Sequence, residues 1–126
     1  MIIEDLVNIE NHVQLIAHCS VVIRRNAGIG PRCVIMDASH PFMDVNDPRP
    51  IYKRLSTGPS FVEIGEGAQI GAGTFITPNV RIGKGSVIGP NSVVRRSVPD
   101  HCVAAGNPAK IMLRYNPQED RWLPVS

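Results

Sequence analysis

From Ile64 onward the apolar positions recur every six residues: IGEGAQ, IGAGTF, ITPNVR, IGKGSV, IGPNSV, VRRSVP. A large aliphatic residue leads each block, at Ile64, Ile70, Ile76, Ile82, Ile88 and Val94. A smaller residue takes the fifth place, at Ala68, Thr74, Val80, Ser86, Ser92 and Val98. Gly65, Gly71, Gly83 and Gly89 fill the second place, and Gly67, Gly73, Asn79, Gly85 and Asn91 the fourth. The register is present earlier in weaker form. Ile3, Ile9 and Leu15 lead blocks whose fifth residues are Val7, Val13 and Cys19. Two extra residues shift the phase, and Ile23, Ile29 and Ile35 then lead blocks with Ala27, Cys33 and Ser39 in fifth place.

Each block reads as one short strand and one corner. Two inward positions four apart share a side of a strand, because side chains alternate with period two. Gly and Asn tolerate the positive φ that a tight corner requires. Helix fits badly: at about 100° per residue, leads six apart lie about 600° apart, on opposed faces, and glycine would recur mid-helix. Three blocks make an 18-residue triangular coil, and coils stack as parallel strands, Ile over Ile. The expected architecture is all-β, a parallel β-helix of about four coils forming one domain over 1–126. Residues 3–40 supply about two coils, 61–99 two more, and 100–126 a cap and tail.

The pattern stops after His40. Residues 41–60 carry four prolines and no period, so they read as a protruding loop of the kind that usually carries function. The tail holds Pro108, Pro117 and Pro124, which leaves room for at most one short turn of helix and suggests a cap over the open end of the stack.

Composition supports this reading. Ile and Val together number 28 and Leu only 5, and Gly plus Pro make 22 of 126 residues, which excludes a leucine-rich bundle or coiled coil. A net charge of +2 gives no DNA-binding field. No apolar run approaches the ~20 residues of a membrane span. The N-terminus lacks the basic region and cleavage site of a signal peptide. Three cysteines without paired spacing suit a reducing cytoplasm. Val62, Phe75, Val87 and Val93 fall where the repeat is expected to turn outward. An apolar stripe there suits a homotrimer packed around a threefold axis.

Three features together resemble the hexapeptide-repeat acyltransferases: the hexads of 64–99, the segment DASHP (Asp37 to Pro41) before the loop, and the closing AGNPAK (Ala105 to Lys110). The ordered set is similar to the branch holding the galactoside, maltose, xenobiotic and polysaccharide O-acetyltransferases. The resemblance implies a left-handed coil, a trimer, and acetyl-CoA as co-substrate without a metal. It implies acetyl transfer to a hydroxyl of a sugar or similar small acceptor.

It also implies site residues. His40 matches the family's general base, a role that suits an imidazole because its ordinary pKa, ~6.5, lies near working pH. Asp37 and Asp44 are the nearest carboxylates that could orient the ring or meet the acceptor. Ala72 and Pro90, with Thr77 by extension, match positions along the pantetheine groove. Arg95 and Arg96 match a Thr-Lys pair of the family and Lys110 a basic residue near the CoA phosphates; with Arg114 they gather as four cations at one end of the stack, where they could pair with the phosphates of CoA. His12 and His18 read as corner residues and His101 as part of the closing turn. They lack the spacing of a γ-class carbonic anhydrase zinc triad. Cys19, Cys33 and Cys102 read as small core residues. Two other readings stay open: a non-catalytic β-helix assembly module, and N-acyl transfer to an amino-sugar.

Overall fold

A computed structural model describes residues 1–125; Ser126, the last residue of the expected cap, lies outside the described residues. The hexads become very short strands in three sheets. The first sheet stacks β1 (Ile2–Ile3), β4 (Val21–Ile23), β7 (Val62–Ile64) and β10 (Val80–Ile82). The second begins with β2 (Asn8–Ile9), β5 (Gly28–Ile29), β8 (Gln69–Ile70) and β11 (Val87–Ile88). The third stacks β3 (Gln14–Ile16), β6 (Val34–Met36), β9 (Phe75–Ile76) and β12 (Val93–Val94). All these pairings are parallel, and the register puts lead residue over lead residue: Ile3, Ile23, Ile64, Ile82 on the first sheet, Ile9, Ile29, Ile70, Ile88 on the second. The chain is a left-handed parallel β-helix of four coils.

The leads from Ile23 to Ile88 are fully buried, and Ala27, Cys33, Ala68, Thr74, Val80 and Ser86 in fifth place fill the core between them; Ser39, in fifth place where the loop begins, is exposed instead. The corners take the left-handed backbone that the fourth positions predict. Asn26, Gly67 and Gly85 lie at φ 62°, 69° and 64° along one edge, and Arg32, Gly73 and Asn91 at 60°, 69° and 57° along the next. Leu6 and His12 adopt φ 60° in the first coil without glycine's freedom.

The three faces differ. The first sheet carries an ion ladder, Glu4–Arg24–Glu63–Arg81, with N···O distances of 3.1, 3.3 and 3.3 Å. The third sheet points Val34, Phe75 and Val93 outward in register, next to Ile16 and Met36. The expected stripe is corrected in two places. Val62 occupies a fifth position, stacks in register between Val21 and Val80, and is completely buried. Val87 projects from the second sheet, so it is not in line with Phe75 and Val93.

The tail is also corrected. It forms β13 (Cys102–Gly106), β14 (Ala109–Asn116) and β15 (Arg121–Pro124), which extend the second sheet beyond β11. Ile111, Leu113 and Tyr115 alternate with exposed Lys110, Met112 and Arg114, a period-two pattern. The prolines punctuate rather than forbid strands. Pro108 sits between β13 and β14, Pro117 follows β14, and Pro124 lies on the edge strand, where a missing N–H does little harm. This end is closed, with Val94 and Ala104 each 1% exposed, whereas Ile3 at the other end is 46% exposed.

Candidate active site

The loop leaves the stack after β6, at the edge between the third and first sheets. Asp37 is completely buried there. Its carboxylate accepts the backbone N–H groups of His18 at 2.5 Å and of Cys19 and Ser20 at 2.6 Å each. Burial pushes its pKa up, but the backbone donors of His18, Cys19, Ser20 and Asp37 itself outweigh that and hold it below the usual carboxylate value. Asp37 therefore ties the first coil to the second. It is neither the ring's orienting partner nor free to meet an acceptor.

His40 lies three residues further on, and its Nδ1 is 2.8 Å from the main-chain carbonyl oxygen of Arg54, on the returning arm of the loop. A carbonyl only accepts, so Nδ1 carries the proton and Nε2 of the neutral ring presents a lone pair. Asp44 is also corrected as a partner of this ring. Its Oδ1 accepts the N–H of Asn46 at 3.0 Å and its carbonyl oxygen accepts from Arg54, both inside the loop.

Beside His40 is a cleft of about 220 Å³ walled by Ile16, Met36 and Leu55, with His18 and Ser39 among its lining. By sequence His18 is a corner residue, and only the stacking of two coils brings it into the same cleft as His40. Arg54 was missed because its contribution is a backbone carbonyl, which no side-chain pattern encodes.

The remaining candidates fall into two groups. Thr77 and Arg95 directly follow β9 and β12, along the same edge as His40, and Thr77 Oγ1 donates to the Val94 carbonyl at 3.2 Å. Arg95, Arg96 and Lys110 line a cleft of about 400 Å³ closed by Pro108 and Ala109. Ala72 and Pro90 lie on the opposite side of the third sheet, at the corner after β8 and β11, where Asn91 N–H donates to the Ala72 carbonyl at 2.8 Å. Arg114 is separate from the other cations. It lines a different groove with Tyr115, Leu123 and Pro124, because β14 carries it along the hairpin away from Lys110.

His12 occupies a left-handed corner, and His101 tilts against Tyr115 with ring centroids 6.2 Å apart. Cys19, Cys33 and Cys102 are free thiols; Cys33 and Cys102 are buried, but Cys19 is exposed at the end of the first coil, which corrects its reading as a core residue. Cys33 donates to the Gly71 carbonyl at 3.1 Å and has its pKa raised by burial, the reverse of what a nucleophile needs.

Residues 61–96 match the bacterial transferase hexapeptide family (six repeats). That segment carries the family's hexapeptide repeat. The hexapeptide chain is 35% identical over 124 residues to WbbJ of Escherichia coli strain K12, named as a lipopolysaccharide biosynthesis O-acetyl transferase, covering 94% of this chain and 62% of WbbJ. A solved maltose O-acetyltransferase from Clostridium difficile 630 is 30% identical with a TM-score of 0.58, covering 86% of this chain and 63% of that one. AntD, an N-acyltransferase from Bacillus cereus solved with dTDP and 3-hydroxybutyryl-CoA, is 25% identical with a TM-score of 0.61, covering 86% and 66%. The chain spans 62% of WbbJ and about half (48%) of the two curated relatives that follow it.

Proposed function

We propose that this β-helix is a CoA-dependent acetyltransferase that moves an acetyl group from acetyl-CoA to a hydroxyl of a sugar or similar small acceptor. The observation that carries the reading is the 2.8 Å contact of His40 Nδ1 with the Arg54 carbonyl, which leaves Nε2 as an acceptor beside the cleft. In this role Nε2 takes the proton of the acceptor hydroxyl. The oxygen bonds to the thioester carbonyl carbon, the C–S bond breaks, and the departing thiolate takes the proton back from the imidazolium. Arg95, Arg96 and Lys110 supply cations for the CoA phosphates, a chemistry their shared cleft fits. Thr77, on the His40 edge, would flank the path between them.

Ala72 and Pro90 sit at a different corner from His40. A complete site therefore needs a second copy to bring one chain's corner to the other's. The apolar outward column Val34–Phe75–Val93 suits such packing, and a homotrimer would close it. Among the described residues no helix is long and apolar enough to cross a membrane. Free thiols and a CoA donor suit a cytoplasmic setting.

His40→Ala should lower acceptor-dependent thiol release by ~10²–10⁴-fold while leaving CoA affinity nearly intact. Equal rates in the two proteins would end the assignment, and so would a chain that binds no CoA, as an assembly module would not. The likeness to an N-acyltransferase favours one second reading, transfer to an amine with the same base. Paired hydroxyl and amino sugars in the same assay separate the two.

A further inference from the structure

Within the loop of residues 41–60 one residue is buried, and it is an arginine. Arg54 is 8% exposed, although a buried guanidinium is costly unless its donors are satisfied. Here they are. Nε donates to the Arg49 carbonyl at 2.9 Å, Nη1 to the Asp44 carbonyl at 3.2 Å and Nη2 to the Asp47 carbonyl at 3.1 Å, with an Asp47 carboxylate oxygen 3.7 Å from Nε. The loop thus wraps its backbone around one cation. The main chain of the same residue is fixed as well. Its N–H donates to the Ile51 carbonyl at 3.0 Å, closing the 3-10 turn Ile51–Lys53, and its carbonyl oxygen faces His40 Nδ1 at 2.8 Å.

We propose that Arg54 is a positioning residue: its guanidinium anchors the loop so that its own carbonyl holds His40 in the Nδ1–H tautomer, with Nε2 free to take a proton. This rests on His40 being the base, as proposed above. Two other restraints act on the carbonyl, the 3-10 turn and a pairing of the loop arms. Ser39 and Ser56 bridge the two arms of the loop, Ser56 N–H donating to the Ser39 carbonyl at 3.0 Å and Ser39 N–H to Ser56 Oγ at 3.3 Å. The serines restrain the arms as a pair of strands is restrained. They leave the span between Asp44 and Arg54 to short local turns, Asp47 N–H donating to the Asp44 carbonyl at 3.3 Å and the 3-10 turn, and the guanidinium is the group that joins Asp44 and Asp47 directly to Arg54.

The test reads the tautomer directly, by long-range ¹H–¹⁵N correlation on the full chain labelled at histidine, in the parent, Arg54→Lys, Arg54→Met and Ser56→Ala. The parent should show His40 protonated at Nδ1. Arg54→Met should lose that preference and lower kcat about 10- to 100-fold at unchanged KM for acetyl-CoA, the scale on which a small misplacement acts. Arg54→Lys keeps the charge but cannot reach three carbonyls in a fork, so it should fall between the two. Ser56→Ala should keep the parent tautomer. Nε2 protonation in the parent overturns the proposal without any variant, and so does an Arg54→Met protein that keeps both the tautomer and kcat. If Arg54→Met shifts the tautomer while His40→Ala stays active, the positioning contact stands and the general-base reading falls. If Arg54→Met leaves the tautomer unchanged while His40→Ala is inactive, the reading stands and this proposal falls.

Discussion

Asp37 shows how a residue flagged for chemistry can be recruited by the backbone instead. The two extra residues that shift the repeat after the first coil leave three successive N–H groups, of His18, Cys19 and Ser20, without a strand partner, and one buried carboxylate satisfies them all. Hydrogen bonds to a charged acceptor contribute about 1.5–3 kcal/mol each, so Asp37→Asn, which removes the charge and turns one acceptor into a donor, should cost about 3 kcal/mol. The dependence on pH has a definite sign. The folded pKa is depressed, so the contribution is fully present above the unfolded value of ~3.9 and is lost as pH falls through the lower folded value. Urea unfolding of parent and variant should show a stability gap that is constant from pH 7 to 5 and narrows below pH 4. A gap that does not change with pH would mean the carboxylate's charge is not what the corner uses.

At the scale of elements, the C-terminal hairpin decides which cations lie together. β13 to β14 turns at Gly106–Pro108 and returns Lys110 beside Arg95 and Arg96, while Arg114, four residues on, faces a different groove. Arg95→Ala and Lys110→Ala should therefore raise the KM for acetyl-CoA several-fold, and added salt should mimic them. Arg114→Ala should leave that KM unchanged. Dephospho-CoA gives the control, since it should lose less affinity in the two cleft variants than in the parent. An Arg114→Ala effect equal to that of Arg95→Ala would regroup the four cations as one donor site. The hairpin was legible in part. Ile111, Leu113 and Tyr115 alternate with polar and exposed neighbours, a strand signal, but Pro108, Pro117 and Pro124 drew attention to breaks. The prolines in fact lie at two turns and on an edge, the places where a sheet accepts them.

For the whole molecule, the asymmetry of the three faces matters most. The ion ladder of the first sheet is suited to water, whereas Val34, Phe75 and Val93 of the third form an apolar outward column beside Ile16 and Met36. Light scattering coupled to size exclusion should give about 41 kDa, three copies of a 13.7 kDa chain. Phe75→Glu should shift the mass towards the monomer and abolish transfer, because His40 and the Ala72–Pro90 corner would no longer meet. A fully active monomer would overturn the shared site.

The coil itself needed no tertiary information. From Ile64 to Val94 a six-residue period of β-branched leads, with Gly or Asn at the corners from Gly67 to Asn91, admits few other packings, since side-chain alternation and left-handed corner geometry are local properties of the chain. The loop was legible for the complementary reason, as the place where that local rule stops. The candidate site was legible only to the extent that it is made of side chains in motifs, as with the proposed base His40 before the loop and the basic pair Arg95–Arg96. The stacking register decided the rest. Asp37 became a buried acceptor, His18 came into the His40 cleft, Val62 turned inward, and Arg114 was separated from Lys110. Each of these depends on which coil lies above which. The carbonyl of Arg54 is the extreme case, because every residue carries the same group, and only the folded path of the loop brings this one to the ring.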